Sequence, residues 1–263
     1  MTAPAIGETA SRRRPAWLER FLSAVGRCEH RHAMIRPGDR VLVGMSGGKD
    51  SLATALALAL RRGKGGVSYE VAALMVDWEE FPAAAEDVER VREWLAGLSV
   101  PFEVRRASIA GLSPSLGFSC YACSRARKRI LFEEAASRGF GTVALGHNLD
   151  DFAATALMNL CFRGRLEPLE PVREFFDGKA RVIRPLCEVR ESTIRTIASR
   201  MGFPVLKVEC PNSEGNLRDR LKPVVAELAK MDKLVRENCY RAWFGARTPA
   251  SAGAGDSGRE EDR

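Results

Sequence analysis

The sequence lacks an apolar run long enough to cross a membrane. The longest such run, residues 52–60, is far shorter than the ~18 residues that suggest a membrane span. No secretory signal is visible either, because the N-terminal segment contains Arg12, Arg13, Arg14 and Pro15 without an apolar region after them. These absences predict a cytoplasmic protein that has no membrane partner.

The chain also lacks the cysteine pattern of a disulfide-bonded framework. Its seven cysteines are an odd number, and without a secretory signal we expect the thiols to be reduced. A zinc ribbon would need two C-x-x-C pairs, and the sequence contains one. A smaller zinc possibility lies near the N-terminus, where Cys28, His30 and His32 flank Glu29. Some of the thiols are therefore candidates for binding a metal.

The charge balance favours an anionic partner. Lysine and arginine together number 41, against 34 aspartates and glutamates, which gives a net charge of +7. Clustered basic residues release counterions from phosphates, so nucleic acid is a natural partner. On its own this signal is weak, because a basic residue is more often a solvated surface charge.

The length of 263 residues and the hydrophobic content of 45% predict one large domain. Residues 1–16 and 245–263 are rich in alanine, glycine, serine, proline and charge, and they are predicted to be disordered tails. The domain therefore spans residues 17–244, with helical additions at both ends.

Apolar strands alternate with helices along this domain. The predicted strands cover residues 41–45, 69–76, 102–104, 142–145 and 182–183, and the main predicted helices cover 52–60, 83–98, 124–137, 150–161, 191–201 and 222–244. This order predicts an α/β fold, a doubly wound and mostly parallel sheet with helices on both faces. Ligands bind such sheets at the carboxyl ends of the strands.

A glycine-rich turn with the sequence S-G-G-K-D-S, residues 46–51, connects the first strand to a helix. Gly47 and Gly48 allow a tight turn that exposes backbone N–H groups, and Ser46 and Ser51 add hydroxyl donors. The following helix contributes its positive N-terminal end, so a phosphate or pyrophosphate is the expected ligand. Neither G-x-x-x-x-G-K-[ST] nor G-x-G-x-x-G is present here. Asp50 would be an unusual neighbour for a phosphate unless a metal ion lies between them.

The turn is the signature of the PP-loop ATP pyrophosphatases, and the chain resembles that superfamily. The alternative is an ordinary glycine-rich turn between strand and helix. The resemblance implies an adenine nucleotide alpha hydrolase-like fold and cleavage of ATP between its alpha and beta phosphates.

The C-x-x-C pair formed by Cys120 and Cys123 stands at the start of a basic helix. This spacing places two sulfurs close enough to share a soft metal, and nearby cations with the helix N-terminus are expected to lower the thiol pKa values. Zinc, a redox pair and an iron–sulfur cluster are the three interpretations of the pair alone.

Further motifs follow in a fixed order, namely C-x-x-C-S-R-x-R, A-L-G-H-N-L-D-D, I-R-P-L and a cysteine ahead of N-L-R. From about Arg27 to about Leu228 the chain resembles the tRNA 2-thiocytidine synthetases. The resemblance implies adenylation of a base carbonyl, with a tRNA cytidine C2 as the expected target, followed by replacement of the oxygen with sulfur. It implies ATP, Mg²⁺ and a 4Fe–4S cluster as cofactors, and tRNA and a sulfur donor such as a cysteine desulfurase as partners, with a homodimer as the expected assembly.

The same resemblance assigns the site residues. Cys120, Cys123 and Cys210 would hold the cluster, Asp50 and Asp151 would bind Mg²⁺, and Asp50, Asp151, Cys120 and Cys123 would be the catalytic residues. The predicted nucleotide-binding residues are Ser46, Gly47, Gly48, Lys49, Asp50, Ser51, Met75, Gly146 and His147. Metal binding is considered for Asp150 as well, and for both Asp150 and Asp151 capping of the following helix is the alternative role. Cys161 and Cys187 are expected to be buried small hydrophobic residues.

Two departures from the family pattern stand out. The family has G-H-H-x-D-D where this chain has Asn148 in place of the second histidine. The family's P-C-x-x-C stretch is reduced here to Cys210 and Pro211, with altered spacing to Asn216.

Other functions compatible with the motifs are thiolation of a tRNA uridine or thymidine, ligation by an amide-forming or lysine-transferring PP-loop enzyme, and a non-catalytic iron–sulfur or RNA-binding role. Arg125, Arg127, Lys128, Arg129, Arg163, Arg165 and Arg218 are the predicted RNA phosphate contacts.

Overall fold

The computed structural model describes residues 14–112, 119–165, 167, 169–208, 210 and 217–246. Six strands form one sheet in the order β3-β2-β1-β4-β6-β5. The strands are β1 (Arg40–Met45), β2 (Glu70–Trp78), β3 (Phe102–Ala107), β4 (Thr142–Ala144), β5 (Val172–Phe175) and β6 (Ala180–Ile183). All neighbouring pairs are parallel except β5 with β6. The predicted α/β fold with a mostly parallel sheet is confirmed.

Helices follow most of the strands. They are α1 (Ala16–Arg31), α2 (Lys49–Arg61), α3 (Ala85–Ala96), α4 (Ile109–Leu112), α5 (Cys120–Ser137), α6 (Leu149–Arg163), α7 (Glu191–Met201), α8 (Leu217–Met231) and α9 (Val235–Ala246).

Alternation along β1 divides the core between the two faces of the sheet. Val41 and Val43 pack into the larger cluster with α1, α2 and α7, while Leu42 packs with Leu131 of α5 on the other face. Because successive side chains of a strand point to opposite faces, a run of apolar residues such as that in β1 requires cover on both sides.

The two loops that build the candidate site are neighbours for a topological reason. β1 and β4 pair in parallel, with Val43 opposite Ala144. The turn after β1 and the Gly146 loop after β4 therefore leave the sheet at the same edge, in the crevice where ligands of such folds bind.

Two elements differ from the sequence-based expectation. The strand β5 was not predicted, because its sequence V-R-E-F is short and half polar, and it is an antiparallel edge strand. The helical end predicted over residues 222–244 consists of two helices, since α8 ends at Met231 and α9 begins at Val235. In the connection, the Asp232 side chain accepts a hydrogen bond from the backbone N–H of Leu234 at 2.8 Å, which suits a turn better than a continuing helix.

Within the described residues, no helix has both the length and the apolar character needed to cross a membrane. The predicted tails lie mostly outside the described residues, although α1 begins at Ala16 and α9 continues to Ala246.

Candidate active site

The glycine-rich turn is held by its own serines. Gly47 has a φ of +77°, a conformation that favours glycine, and its carbonyl accepts a hydrogen bond from the Leu206 N–H at 2.9 Å. The buried Ser51 hydroxyl donates to the Gly48 carbonyl at 2.9 Å, and the Gly48 N–H lies 3.4 Å from the Ser46 hydroxyl oxygen. The helix α2 begins directly after the turn, as the anion-site interpretation requires.

Gly146 lies against this turn. A β-carbon added at Gly146 would stand 2.8 Å from the carbonyl carbon and oxygen of Asp50 and 2.9 Å from the backbone nitrogen of Ser51. Backbone atoms occupy the position that any larger residue would need. The predicted importance of Gly146 therefore has a local cause, which is close contact between two loops of the site.

Asn148, which stands where the family has a second histidine, hydrogen-bonds to the start of α6 and to the glycine-rich turn. Its side-chain oxygen accepts hydrogen bonds from the backbone N–H groups of Asp150 at 3.0 Å and Asp151 at 3.2 Å, and the Asp151 carboxylate accepts from the Asn148 N–H at 3.0 Å. This reciprocal cap begins α6. The Asn148 amide also donates to the Asp50 carboxylate at 3.0 Å, so it links the two predicted Mg²⁺ ligands.

Both of these carboxylates already pair with a lysine. Lys49 Nζ lies 2.9 Å from Asp50 and 3.0 Å from Glu191, and Lys222 Nζ lies 2.8 Å from Asp151. Burial by itself would raise the pKa of Asp151, but Lys222 and the backbone hydrogen bond from Asn148 lower it. Asp151 is therefore a carboxylate that favours a cation beside it.

Asp150 has a structural role. Its carboxylate accepts the N–H of Glu191 at the start of α7, 2.8 Å away, and pairs with Arg236 of α9. These contacts join three helices. Of the two roles considered for Asp150, stabilisation of helix ends is the one that its contacts support.

The cysteine trio and the glycine-rich turn line one cavity of about 530 Å³. Ser46, Asp50 and Ser51 line its floor on the sheet side, and Gly146, His147 and Asp151 belong to the loop after β4. The wall from α5 and from the segment before α8 includes Cys120, Cys123 and Cys210.

The expected lowering of thiol pKa values is wrong for Cys123. Burial raises its pKa, and the nearby Cys210 and Cys120 sulfurs raise it further, while Arg127 acts in the opposite direction. The Arg127 guanidinium lies 3.7 Å from the Cys123 sulfur. Loading of a metal centre must therefore displace a proton from this thiol, which makes loading easier at higher pH.

Cations dominate the wall of the cavity. The basic residues that line it are Arg127, Lys128, Arg184, Arg218 and Lys222. Burial together with Arg184, Arg173 and Arg218 lowers the pKa of Lys128, which is the mark of concentrated positive charge. Arg184 and Lys222 were not predicted as site residues, although Arg184 stands in the I-R-P-L motif and could have been noticed there.

Other predicted residues lie elsewhere. Met75 is buried beside Met45 in the sheet, and among the described residues it is Met45 that lines the cavity. Gly47, Gly48 and Lys49 belong to the turn but do not line the cavity wall. Among the predicted RNA contacts outside the wall, Arg129 pairs with Glu133 at 2.7 Å. Arg125, Arg163 and Arg165 are exposed.

His147 is held in its neutral form. Burial, with the positive charges of Arg184, Arg218 and Lys128, lowers its pKa from 6.5 to about 3, and Asp151 opposes this only in part. Its Nδ1 atom is buried and has no hydrogen-bond partner among the described residues. At neutral pH this side chain can accept a hydrogen bond but does not carry charge.

This pKa predicts an acid-sensitive contribution to stability. The unfolded chain binds the proton first, so the contribution of His147 is complete above pH 6.5 and is lost as the pH falls towards 3. In urea unfolding between pH 7.5 and 4, we expect His147→Gln to remove up to about 1.4 kcal/mol per pH unit from the acid slope. His30→Gln, at an exposed position, is the control. Equal slopes in the two variants would contradict the assignment.

Comparison with known sequences identifies the family to which this chain belongs. The sequence profile of the PP-loop domain family matches residues 22–226 of this chain. A tRNA-cytidine(32) 2-sulfurtransferase from Legionella pneumophila (strain Corby) is 34% identical over 214 residues, which cover 80% of this chain and 75% of the relative. The protein of that name from Anaeromyxobacter sp. (strain Fw109-5) is 32% identical over 229 residues, covering 85% and 75%. The one from Stenotrophomonas maltophilia (strain K279a) is 35% identical over 215 residues, covering 80% and 69%.

A solved structure supports the fold. The U34-tRNA thiolase NcsA from Methanococcus maripaludis with its 4Fe–4S cluster superposes with a TM-score of 0.69 over 93% of this chain and 84% of that chain, at 19% identity. At that identity the likeness concerns the fold alone. The family assignment depends on the sequence relatives, because they match this chain over most of its length. The chain belongs to the PP-loop family of tRNA-cytidine(32) 2-sulfurtransferases.

Proposed function

We propose that this protein uses ATP to activate the C2 carbonyl of a tRNA cytidine and replaces the oxygen with sulfur. The observation that carries the proposal is the shared cavity, which is lined both by residues of the glycine-rich turn and by three thiols. The names of the relatives give the substrate, tRNA cytidine. A ligase that only activates its substrate with ATP would have no use for the thiols.

ATP would bind with its phosphates on the turn. The N–H groups at the start of α2 and the Ser46 hydroxyl are donors for them, and Lys49 lies close enough to neutralise part of their charge. The close contact at Gly146 keeps the neighbouring loop against the turn. His147, neutral and buried at Nδ1, offers a hydrogen-bonding group without adding positive charge.

The carboxylates of Asp50 and Asp151 have the oxygen atoms that Mg²⁺ prefers as ligands. Asp50 and Asp151 are oxygen ligands on one cavity wall, and each already pairs with an ammonium group. We infer that Lys49 and Lys222 turn to the phosphates when ATP binds and that Mg²⁺ replaces them at the carboxylates. The ion would supply charge neutralisation as pyrophosphate departs.

The three thiols fit a 4Fe–4S cluster. Cys120 is exposed in the first turn of α5, Cys123 is half-buried one turn later, and Cys210 lines the same cavity near enough to raise the pKa of Cys123. When bound, the cluster would supply an iron without a protein ligand, at which sulfur can be held for delivery. Arg127 would compensate the negative charge of the thiolates.

The reaction balances in two displacements. The cytidine O2 attacks the alpha phosphorus of ATP, an O–P bond forms, and pyrophosphate leaves with the electron pair of the broken bond. Sulfur at the sulfide level, as HS⁻, then attacks C2, and the C–O bond breaks so that AMP leaves with the former O2 while the proton of HS⁻ goes to solvent. The residues of the site hold the nucleotide, neutralise the leaving groups and keep the sulfur source beside the activated carbon.

The target base must leave its stack to enter this cavity, because its C2 carbonyl is otherwise paired or covered. Arg127, Lys128 and Arg218 line the cavity with positive charge and are suited to the flanking phosphates. A cytoplasmic location, a cysteine desulfurase as sulfur donor and a homodimer stay predictions of the sequence analysis.

The proposal is tested by pyrophosphate release and by nucleoside analysis. Purified protein with an intact cluster should release pyrophosphate from ATP, and unmodified tRNA should stimulate the release. A strain that lacks the gene should lose 2-thiocytidine from its tRNA, as read by mass spectrometry. Loss of a thiouridine instead would identify the uridine enzyme, and no release with an intact cluster would exclude the catalytic role.

A further inference from the structure

A second group of metal-binding side chains lies outside the active-site cavity. Cys28 is in the last turn of α1, His32 is one turn further along, and Cys187 follows β6. Their candidate ligand atoms all lie within 4.8 Å of one another. None of the three lines the cavity that contains the glycine-rich turn.

The two sulfurs are fully buried and close together. Cys28 Sγ lies 2.9 Å from Cys187 Sγ, although 159 positions separate them in the sequence. A disulfide bond measures about 2.0 Å, while two thiolates on one zinc ion lie about 3.8 Å apart because each Zn–S bond is ~2.3 Å. The sulfur pair alone therefore fits neither arrangement better, and the surrounding donors decide between them.

Those donors favour a metal. Tyr240 Oη lies 2.7 Å from His32 Nε2, 3.2 Å from Glu188 Oε1 and 3.5 Å from Cys187 Sγ. Glu188 Oε1 is also 3.4 Å from His32 Nε2. Ligand atoms of a tetrahedral zinc site lie roughly 3–4 Å from each other, given metal–ligand bonds of ~2.0–2.3 Å. A disulfide would not need the imidazole, which offers a ligand atom within 4.8 Å of both sulfurs.

The charges balance as well. Two thiolates cancel the charge of a divalent ion, and the neighbouring Glu188 carboxylate is already paired with Arg31 at 2.7 Å. A neutral assembly is the form that tolerates burial.

We propose that Cys28, Cys187 and His32 bind a structural Zn²⁺ ion. A water molecule completes the coordination, and the Tyr240 hydroxyl, which lies 2.7 Å from His32 Nε2 and 3.5 Å from Cys187 Sγ, turns from the nitrogen to the coordinated sulfur when the ion binds. Two sulfurs and one imidazole nitrogen are ligands that suit zinc. Binding releases the two thiol protons to solvent and leaves the oxidation state of sulfur unchanged.

The site would join distant parts of the chain. It links the end of α1 to the segment that precedes α7, and the Tyr240 contacts extend the link to α9. These elements surround the core rather than the cavity, so the ion would stabilise the fold without entering the reaction. Glu29 and His30, which sequence analysis grouped with Cys28, do not take part, because Glu29 pairs with Arg61 at 2.8 Å and His30 is exposed.

The test measures zinc and iron separately in the full chain. Protein purified without added metal is passed through a chelating buffer, and its zinc and iron are counted by inductively coupled plasma mass spectrometry. It should retain about one zinc per chain. Cys28→Ala, Cys187→Ala and His32→Ala should each lower this at least tenfold. Cys123→Ser should lose iron and keep the zinc, and Cys161→Ser, at an exposed position, should keep both.

Spectroscopy and peptide mapping of the wild-type protein keep the test decisive if a variant does not fold. Wild-type protein reloaded with Co²⁺ should show thiolate-to-cobalt absorption in the near ultraviolet. The proposal is overturned if the wild-type chain retains no zinc and gives no such absorption. It is equally overturned if peptide mapping finds Cys28 and Cys187 joined by a disulfide, or if Cys161→Ser loses as much zinc as Cys187→Ala.

Discussion

Replacing Cys123 with serine should lower thiolation of tRNA by at least about three orders of magnitude while ATP still binds, as expected when one member of a cooperating unit is removed. Cys123 lies half-buried in the shared cavity beside Cys210 and Cys120. A serine oxygen is a poor ligand for iron, so the cluster should not assemble. The glycine-rich turn is a separate element and keeps its serine hydrogen bonds. The measurements are iron content, ATP binding by calorimetry, and thiolated nucleoside formed per chain.

The matched control is Cys161→Ser at the exposed end of α6. It removes a thiol without touching the cavity lining, so iron content and thiolation should match the wild type. Retention of both properties by Cys123→Ser would refute the assignment of the trio. Loss of both by Cys161→Ser would show that the cluster is held elsewhere.

Gly146→Ala should damage both stability and ATP turnover. The added methyl group would stand 2.8 Å from backbone atoms of Asp50, and backbone cannot move aside as a flexible side chain can. We expect a loss of about 3 kcal/mol in the free energy of unfolding, the upper end for overpacking, or about 6–12 °C in melting temperature for a chain of this size. Displacement of the turn by ~1 Å should lower pyrophosphate release about 100-fold.

Gly141→Ala provides the control, since a β-carbon there would meet no atom within 4 Å. That variant should melt within about 1–2 °C of the wild type, as surface substitutions usually do, and should release pyrophosphate at the wild-type rate. If Gly146→Ala is as stable and as active as Gly141→Ala, the close contact between the two loops has no functional importance.

The sequence predicted the sheet well because its strands are uniformly apolar. The run from Val41 to Met45 is buried on both faces, and only a covered parallel strand explains such a pattern. The antiparallel strand β5 gave no comparable signal, since two charged residues separate its two apolar ones and it pairs only at the edge of the sheet. Edge pairing depends on tertiary contact more than on local composition.

The candidate site could be predicted where residues lie close together in a motif. The turn at residues 46–51 and the loop at 146–151 are continuous stretches, and the structure brings both to one cavity. The pairing of Lys222 with Asp151 and the meeting of Cys28 with Cys187 join residues far apart in the chain. No periodicity encodes such contacts, because they follow from how helices pack around the finished sheet.

The role of Asn148 could not be predicted either. Read as a missing imidazole, it suggested divergence from the family. In the structure the amide caps α6 through its oxygen and reaches Asp50 through its nitrogen, a pair of contacts that one short side chain with both acceptor and donor can make. The replacement therefore preserves an organised carboxylate pair.

The measurement that bears most directly on the central claim is a reconstituted reaction. Purified protein with its cluster, ATP, Mg²⁺, a sulfide source and unmodified tRNA should produce 2-thiocytidine, with one AMP and one pyrophosphate formed for each thiolated base. Nucleoside mass spectrometry and nucleotide chromatography give the two counts on the same sample. A thiolated uridine, or no thiolated base from protein that binds ATP and holds its cluster, would contradict the account.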